Sequence, residues 1–140
     1  MLLGVLNSFF DMEYIERKEG VEPDFTPGST KIYLENESAT SANIERLRNF
    51  PTLIEVIIND YNEPTIDLAP LKSCISIETL QIEAPEIEHL DLTPIGALLN
   101  LTRLTLFWIP KVKELDLSPL AQCTSLESIR IINSTANELD

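Results

Sequence analysis

The stretch Leu101–Thr102–Arg103–Leu104–Thr105–Leu106 has the form LxxLxL, and the same form recurs along the chain. It begins again 24 residues earlier at Ile77, 24 residues before that at Leu53, and 25 residues later at Leu126. The alternation in LxL predicts a short strand with one buried face. A fixed period of this length is typical of architectures in which each unit buries its apolar side only against its neighbours. We therefore expect a stacked solenoid whose strands pair as a parallel sheet.

A second half-repeat follows each strand. Leu115–Asp116–Leu117–Ser118–Pro119–Leu120 aligns with the segments that begin at Ile66 and Leu90. Proline is favoured at the first position of a helix, and aspartate or serine just upstream can cap it. The half-repeat therefore predicts a short helical turn after each strand. A degenerate copy at Ile32–Tyr33–Leu34 extends the pattern toward the N-terminus.

The combination of LxxLxL with LDLSPL resembles leucine-rich repeats, particularly the prokaryotic or archaeal type with an LDLSPL half. The resemblance implies an α/β solenoid with a short parallel sheet on the concave side and short helical turns on the convex side. It also implies a scaffold for protein–protein interactions. The family often places asparagine or cysteine three residues after the last strand leucine, where the side chain ties the loop. In this chain that column reads Tyr61, Pro85, Ile109 and Ser134. We expect apolar packing or backbone geometry to hold the loops instead.

The pattern divides the chain into two parts. Residues 1–28 are expected to form a non-repeating N-terminal cap and linker, with a helix over residues 1–17. Residues 29–140 are expected to form repeats of 24–25 residues. The last repeat is expected to be incomplete, because Asn137–Glu138–Leu139–Asp140 only begins another LDL half. An apolar layer that no further unit covers would face water. Two explanations stand: a fragment of a longer array, or self-association through an uncapped C-terminal end.

Composition limits the kinds of partner. The chain has 10 lysines and arginines against 23 aspartates and glutamates, a net charge of −13. Because nucleic-acid affinity depends on cations facing phosphates, and anionic lipid repels acidic surfaces, we expect neither nucleic acid nor membrane as a partner. A protein or peptide, in particular a basic one, suits this charge. The apolar start, residues 1–10, lacks the basic segment of a signal peptide, so we expect a cytoplasmic protein.

The residues that usually carry chemistry favour a non-catalytic protein. The chain has one histidine, His89, which we expect in an exposed loop, and no glycine-rich phosphate loop among its four glycines. Cys74 and Cys123 occupy one column two units apart. That places them about 10 Å from each other, too far for a disulfide, so free buried thiols are expected. We therefore expect no metal, no cofactor and no enzymatic activity.

Strand alternation points three columns of side chains toward the concave side. Apolar residues and arginines stand out there, and both are enriched in protein interfaces. The predicted partner-binding residues are Tyr33, Ile57, Arg103, Phe107, Arg130 and Ile132. Phe107 and its neighbour Trp108 have an alternative role, which is to pack the loop that lacks asparagine. Two functions are therefore predicted: an interaction module that binds through the concave face, or a structural spacer or capping fragment of a larger repeat array.

Overall fold

Five short strands carry the LxL repeats in the computed structural model, which describes residues 25–133. They are β1 (Lys31–Glu35), β2 (Glu55–Asn59), β3 (Thr79–Glu83), β4 (Arg103–Phe107) and β5 (Ser128–Ile132). The strands form one parallel sheet in the order β1-β2-β3-β4-β5. The register joins Leu80 to Leu104 and Leu104 to Ile129, so the sequence period is the strand register. The predicted parallel sheet is confirmed.

Short helices lie between the strands. The first unit has a 3-10 helix at Asn36–Ser38, an α-helix at Ser41–Arg46 and a 3-10 helix at Leu47–Asn49. Later units have 3-10 helices at Ala69–Ser73, Thr93–Ala97 and Ser118–Gln122, each with proline in its first two positions. The predicted helical turns are confirmed. The first unit has no proline there, and the Thr40 side chain instead caps the α-helix by accepting a hydrogen bond from the Asn43 N–H.

The aspartate of each LDLxPL half begins its turn. The Asp67, Asp91 and Asp116 carboxylates accept hydrogen bonds of 2.9 Å from backbone N–H groups two residues onward. These bonds favour the charged carboxylate. The side chain and backbone of Thr93 thus lower the pKa of Asp91. The backbone N–H of Ser118, followed by its side chain, lowers the pKa of Asp116.

These lowered pKa values predict a loss of stability in acid. The unfolded chain binds protons to Asp91 and Asp116 more readily than the folded chain does, so their contribution is present above the ordinary aspartate pKa, about 4. It is lost as the pH falls through the lower folded pKa values. We expect the Tm of an Asp91→Ala, Asp116→Ala variant to fall less steeply below about pH 4 than that of the unchanged chain. Equal slopes in the variant and the unchanged chain would contradict this assignment.

The core lies between the sheet and the helical turns. Leucine and isoleucine columns fill it, and Cys74 and Cys123 lie in it as free thiols, as predicted. Each thiol donates to a carbonyl of an earlier unit: Cys74 Sγ to Leu47 O at 3.1 Å and Cys123 Sγ to Ile95 O at 3.3 Å. Burial raises the pKa of Cys74 to about 11 and also raises that of Cys123, so both thiols stay protonated near neutral pH. They act as small core side chains that also join adjacent coils.

Adjacent coils approach closely at Gly96. A Cβ placed there would lie 2.9 Å from the backbone oxygen of Pro119 in the next coil. Near the C-terminal end of the described residues, three apolar side chains are partly exposed. Leu117, Ile129 and Ile131 are 41–43% exposed, whereas Leu104 and Leu106 in the preceding strand are fully buried. The predicted helix over residues 1–17 and the last LDL half, which begins at Asn137, lie outside the described residues.

Candidate functional site

The concave face of the sheet has two halves of different chemistry. Its half formed by β1–β3 is polar and internally bonded. Glu55 accepts a hydrogen bond from the Tyr33 hydroxyl at 3.3 Å, and its carboxylate lies 3.8 Å from Lys31 Nζ. Gln81 Nε2 donates to Asn59 Oδ1 at 3.0 Å. Tyr33, a predicted binding residue, is therefore half-buried and tied to its neighbour strand.

Ile57 requires a correction. The alternation places it correctly in the concave column, paired in register with Tyr33 on one side and Gln81 on the other. The expectation that it offers an exposed apolar surface is nevertheless wrong, because its side chain is only 5% exposed. Ile57 therefore lies in the concave column between Tyr33 and Gln81 but gives a partner little contact area.

The half formed by β4 and β5 brings the other predicted residues together. We call it the β4–β5 patch, and its members are Arg103, Thr105, Phe107, Ser128, Arg130 and Ile132. Arg103 and Arg130 are exposed, and Phe107 and Ile132 are half-buried register neighbours. The patch contains no carboxylate. Within residues 25–133 the ion pairs use Lys31, Arg48 and Lys111 as cations, so neither patch arginine is neutralised by such a pair.

A tight turn holds the end of β4. Trp108 has a φ of 59°, and the equivalent residues after β1 and β2, Asn36 and Asp60, have φ values of 56° and 58°. This left-handed conformation suits asparagine and aspartate but costs a bulky residue about 1–3 kcal/mol. The Trp108 N–H donates to Ile132 O at 2.6 Å, and the next N–H, of Ile109, donates to Asn133 Oδ1 at 2.8 Å. These bonds to the neighbouring strand keep Phe107 in place beside Ile132.

The column that lacks asparagine is held as expected, by apolar packing and backbone bonds. Tyr61 and Ile109 are buried in it, and the Tyr61 hydroxyl donates to Thr65 O at 2.6 Å. Burial raises the pKa of Tyr61 to about 12, so the hydroxyl remains a donor. A side chain of the following strand also holds the loop after β2, which the sequence did not reveal: Glu83 Oε1 accepts a hydrogen bond from the Asp60 N–H at 3.1 Å. Asn133 acts likewise on Ile109. Ser134, the last member of the column, lies outside the described residues.

Other features offer less chemistry. His89 is exposed, as predicted, beside an open groove of about 430 Å³ that Asp91, Glu114 and Asp116 also line. Between residues 25 and 133, no three histidine, cysteine or carboxylate side chains converge to hold a metal ion. In the same part of the chain, no helix has the length and apolar character needed to cross a membrane.

Comparisons with known proteins give structural neighbours only. The sequence matches no protein-family model and no curated protein. An internalin (InlF) from Listeria monocytogenes is similar over 66% of this chain, with 24% sequence identity and a TM-score of 0.46. Internalin C2 from the same organism is similar over 74% of this chain, with 21% identity and a TM-score of 0.46. The chain spans 33% and 52% of the lengths of these two proteins.

Proposed function

We infer that this leucine-rich-repeat solenoid is a non-catalytic interaction module that binds a partner protein on the β4–β5 patch of its concave face. The main support is that two exposed arginines, Arg103 and Arg130, lie together on this face. Beside them lie the half-buried Phe107 and Ile132. Interfaces are enriched in arginine and aromatic residues, and such residues supply most of the binding energy. Rigid strands hold these side chains in place, which lowers the entropic cost of binding.

Phe107→Glu tests this function. We expect the variant to bind its partner at least about tenfold more weakly, because a central aromatic contact is replaced by a charge. Its Tm should fall only slightly, because Phe107 lies at the concave surface and is only half-buried. The partner is first captured with the full chain and identified, and its Kd for each variant is then measured by calorimetry. Leu99→Glu, at a side chain that is 56% exposed outside the sheet, is the matched control and should bind normally. A large fall in the Tm of Phe107→Glu would assign Phe107 to packing instead.

A second function, a structural spacer or capping piece of a larger array, is favoured by the apolar layer of Leu117, Ile129 and Ile131. Exposed apolar area of this kind promotes association. Under this alternative the chain self-associates end to end, so sedimentation should show a dimer at high concentration. Ile131→Glu should then abolish the dimer, whereas Phe107→Glu should preserve it. Purely monomeric sedimentation at all concentrations would contradict the alternative.

The charge of the chain and its two free thiols bear on the kind of partner and on the cellular compartment. The net charge of −13 favours a partner that is basic overall and disfavours nucleic acid and anionic membranes. The two free thiols support a reducing compartment, and we propose a cytoplasmic location on that ground.

A further inference from the structure

We propose that the part of the partner seated on the β4–β5 patch is an extended peptide segment with an acidic side chain two to four residues from an apolar one. The proposal rests on the proposed function and specifies its ligand. It also separates local from overall charge: the chain as a whole is acidic, but the patch carries two arginines and no carboxylate. The overall charge acts on the approach of a partner, whereas the patch decides what contacts it.

The acidic side chain follows from the arginines. Arg103 on β4 pairs in register with Ser128, and Arg130 lies two residues further along β5 on the same face. Strand spacing and rise per residue then place the two Cα atoms about 8 Å apart. Two long guanidinium side chains at that separation can both reach one carboxylate, which arginine binds with paired hydrogen bonds. On the concave face the nearest glutamate that shares the Arg103 column is Glu55, two strands away, or about 10 Å.

The apolar side chain and its spacing follow from the strand ends. Phe107 and Ile132 are register neighbours and together form the apolar end of the patch. Ile132 lies two residues beyond Arg130, and Phe107 lies four residues beyond Arg103. Along a strand these offsets amount to about 7 and 13 Å. An extended peptide covers the same distances in two to four residues. At that spacing, its carboxylate can contact the arginines while its apolar side chain contacts Phe107 and Ile132.

A peptide fits the surroundings better than a nucleic acid does. A nucleic-acid strand would need cations along its whole phosphate backbone. The patch offers two arginines, and acidic residues border it: Glu83 is the register neighbour of Phe107, and Glu127 precedes β5. A single carboxylate bound between the arginines stays clear of these acidic residues. A run of phosphates would extend over them and be repelled.

The test uses a phage-displayed library of random linear peptides selected on the full chain. We expect the selected peptides to carry Asp or Glu two to four residues from Leu, Ile, Val or Phe. A synthetic peptide of that kind should bind at least about tenfold more weakly to an Arg103→Glu, Arg130→Glu variant, because its carboxylate loses two charged partners and meets two like charges. The matched control is Lys72→Glu, Lys113→Glu, which makes the same charge change at exposed lysines outside the patch and should bind normally. Circular dichroism verifies that every variant is folded.

The outcomes separate this inference from the function beneath it. Selection of basic peptides by the Arg103→Glu, Arg130→Glu variant would support the proposal further. Peptides without acidic enrichment that still lose binding in Phe107→Glu would overturn the acidic segment but leave the interaction module standing. If the selected peptides bind every patch variant as tightly as the unchanged chain, both the acidic segment and the binding function of the patch are overturned. If no peptide is selected, the proposal of an acidic peptide segment is overturned. The interaction module is then tested by capturing the partner protein with the full chain. Tighter binding of a single-stranded oligouridine through the same arginines would also overturn the proposal.

Discussion

Leu104→Ala is expected to lower the free energy of unfolding by about 2–5 kcal/mol, which is the range for removing a buried leucine side chain. Leu104 is fully buried on the inner face of β4, between Leu80 of the preceding coil and Ile129 of the following one. Each coil contributes only one layer to the core, so its neighbours lose contacts on both sides and cannot close the cavity without moving a whole coil. Urea unfolding followed by circular dichroism measures the change.

Ile129→Ala is the matched control for that experiment. It occupies the same column one coil later, but its side chain is 43% exposed. Much of the side chain is therefore already in water, and its truncation should cost clearly less than that of Leu104. Equal losses at the two positions would mean that the layer at β5 is covered in solution, which would contradict the exposed end described above.

Tyr61→Asn is expected to destabilise the chain by about 3–5 kcal/mol, even though it inserts a residue that leucine-rich repeats often place in this column. The Tyr61 ring is fully buried, and its hydroxyl donates to Thr65 O. Asparagine would leave a cavity where the ring was and would not reach the Thr65 carbonyl. The backbone of the loop would still be bonded to Glu83 through the Asp60 and Tyr61 N–H groups, so we expect weakening rather than loss of the fold.

Tyr61→Phe separates the hydroxyl from the ring. It keeps the volume and removes one hydrogen bond, so we expect a loss of about 0.5–1.5 kcal/mol by the same unfolding measurement. An unchanged or raised stability in Tyr61→Asn would contradict the account, because it would show that the loop can adopt the arrangement usual in the family.

The fold was predictable from the sequence because the period has a direct physical meaning. An apolar column repeated every 24 or 25 residues can be buried only by stacking units in register, and Leu80, Leu104 and Ile129 pair accordingly. The LDLxPL half also carried its own local chemistry, since Asp91 and Asp116 bond to backbone groups only two residues away. Interactions of this kind depend on few residues and are visible in one unit.

The site was less predictable, because its details depend on contacts between units. Alternation gave the direction of the Ile57 side chain but not its burial, which leaves only 5% of it exposed. The bonds from Glu83 and Asn133 to the preceding loops span about one full repeat, and no local pattern marks them. The left-handed conformation of Trp108 has no propensity signal, because bulky residues rarely adopt it.

Net charge also concealed the chemistry of the patch. A value of −13 favours a basic partner when it is spread evenly over the surface. The sheet instead places Arg103 and Arg130 on adjacent strands and leaves carboxylates on the neighbouring strands and loops. Strand alternation predicts both arginines on the concave face, and the register shows that they lie on adjacent strands within one patch that contains no carboxylate.

Site-specific photo-crosslinking shows whether the concave face contacts a partner protein. A benzophenone amino acid is placed at Thr105, in the middle of the β4–β5 patch, and in a control protein at Lys72, in the helical turn outside the sheet. Both proteins are irradiated in the same cell extract. We expect position 105 to crosslink to one identified protein. The crosslink should be absent at position 72 and abolished by Phe107→Glu. Crosslinking to that protein from position 72 alone, or from position 105 with Phe107→Glu having no effect, would contradict binding on the concave face.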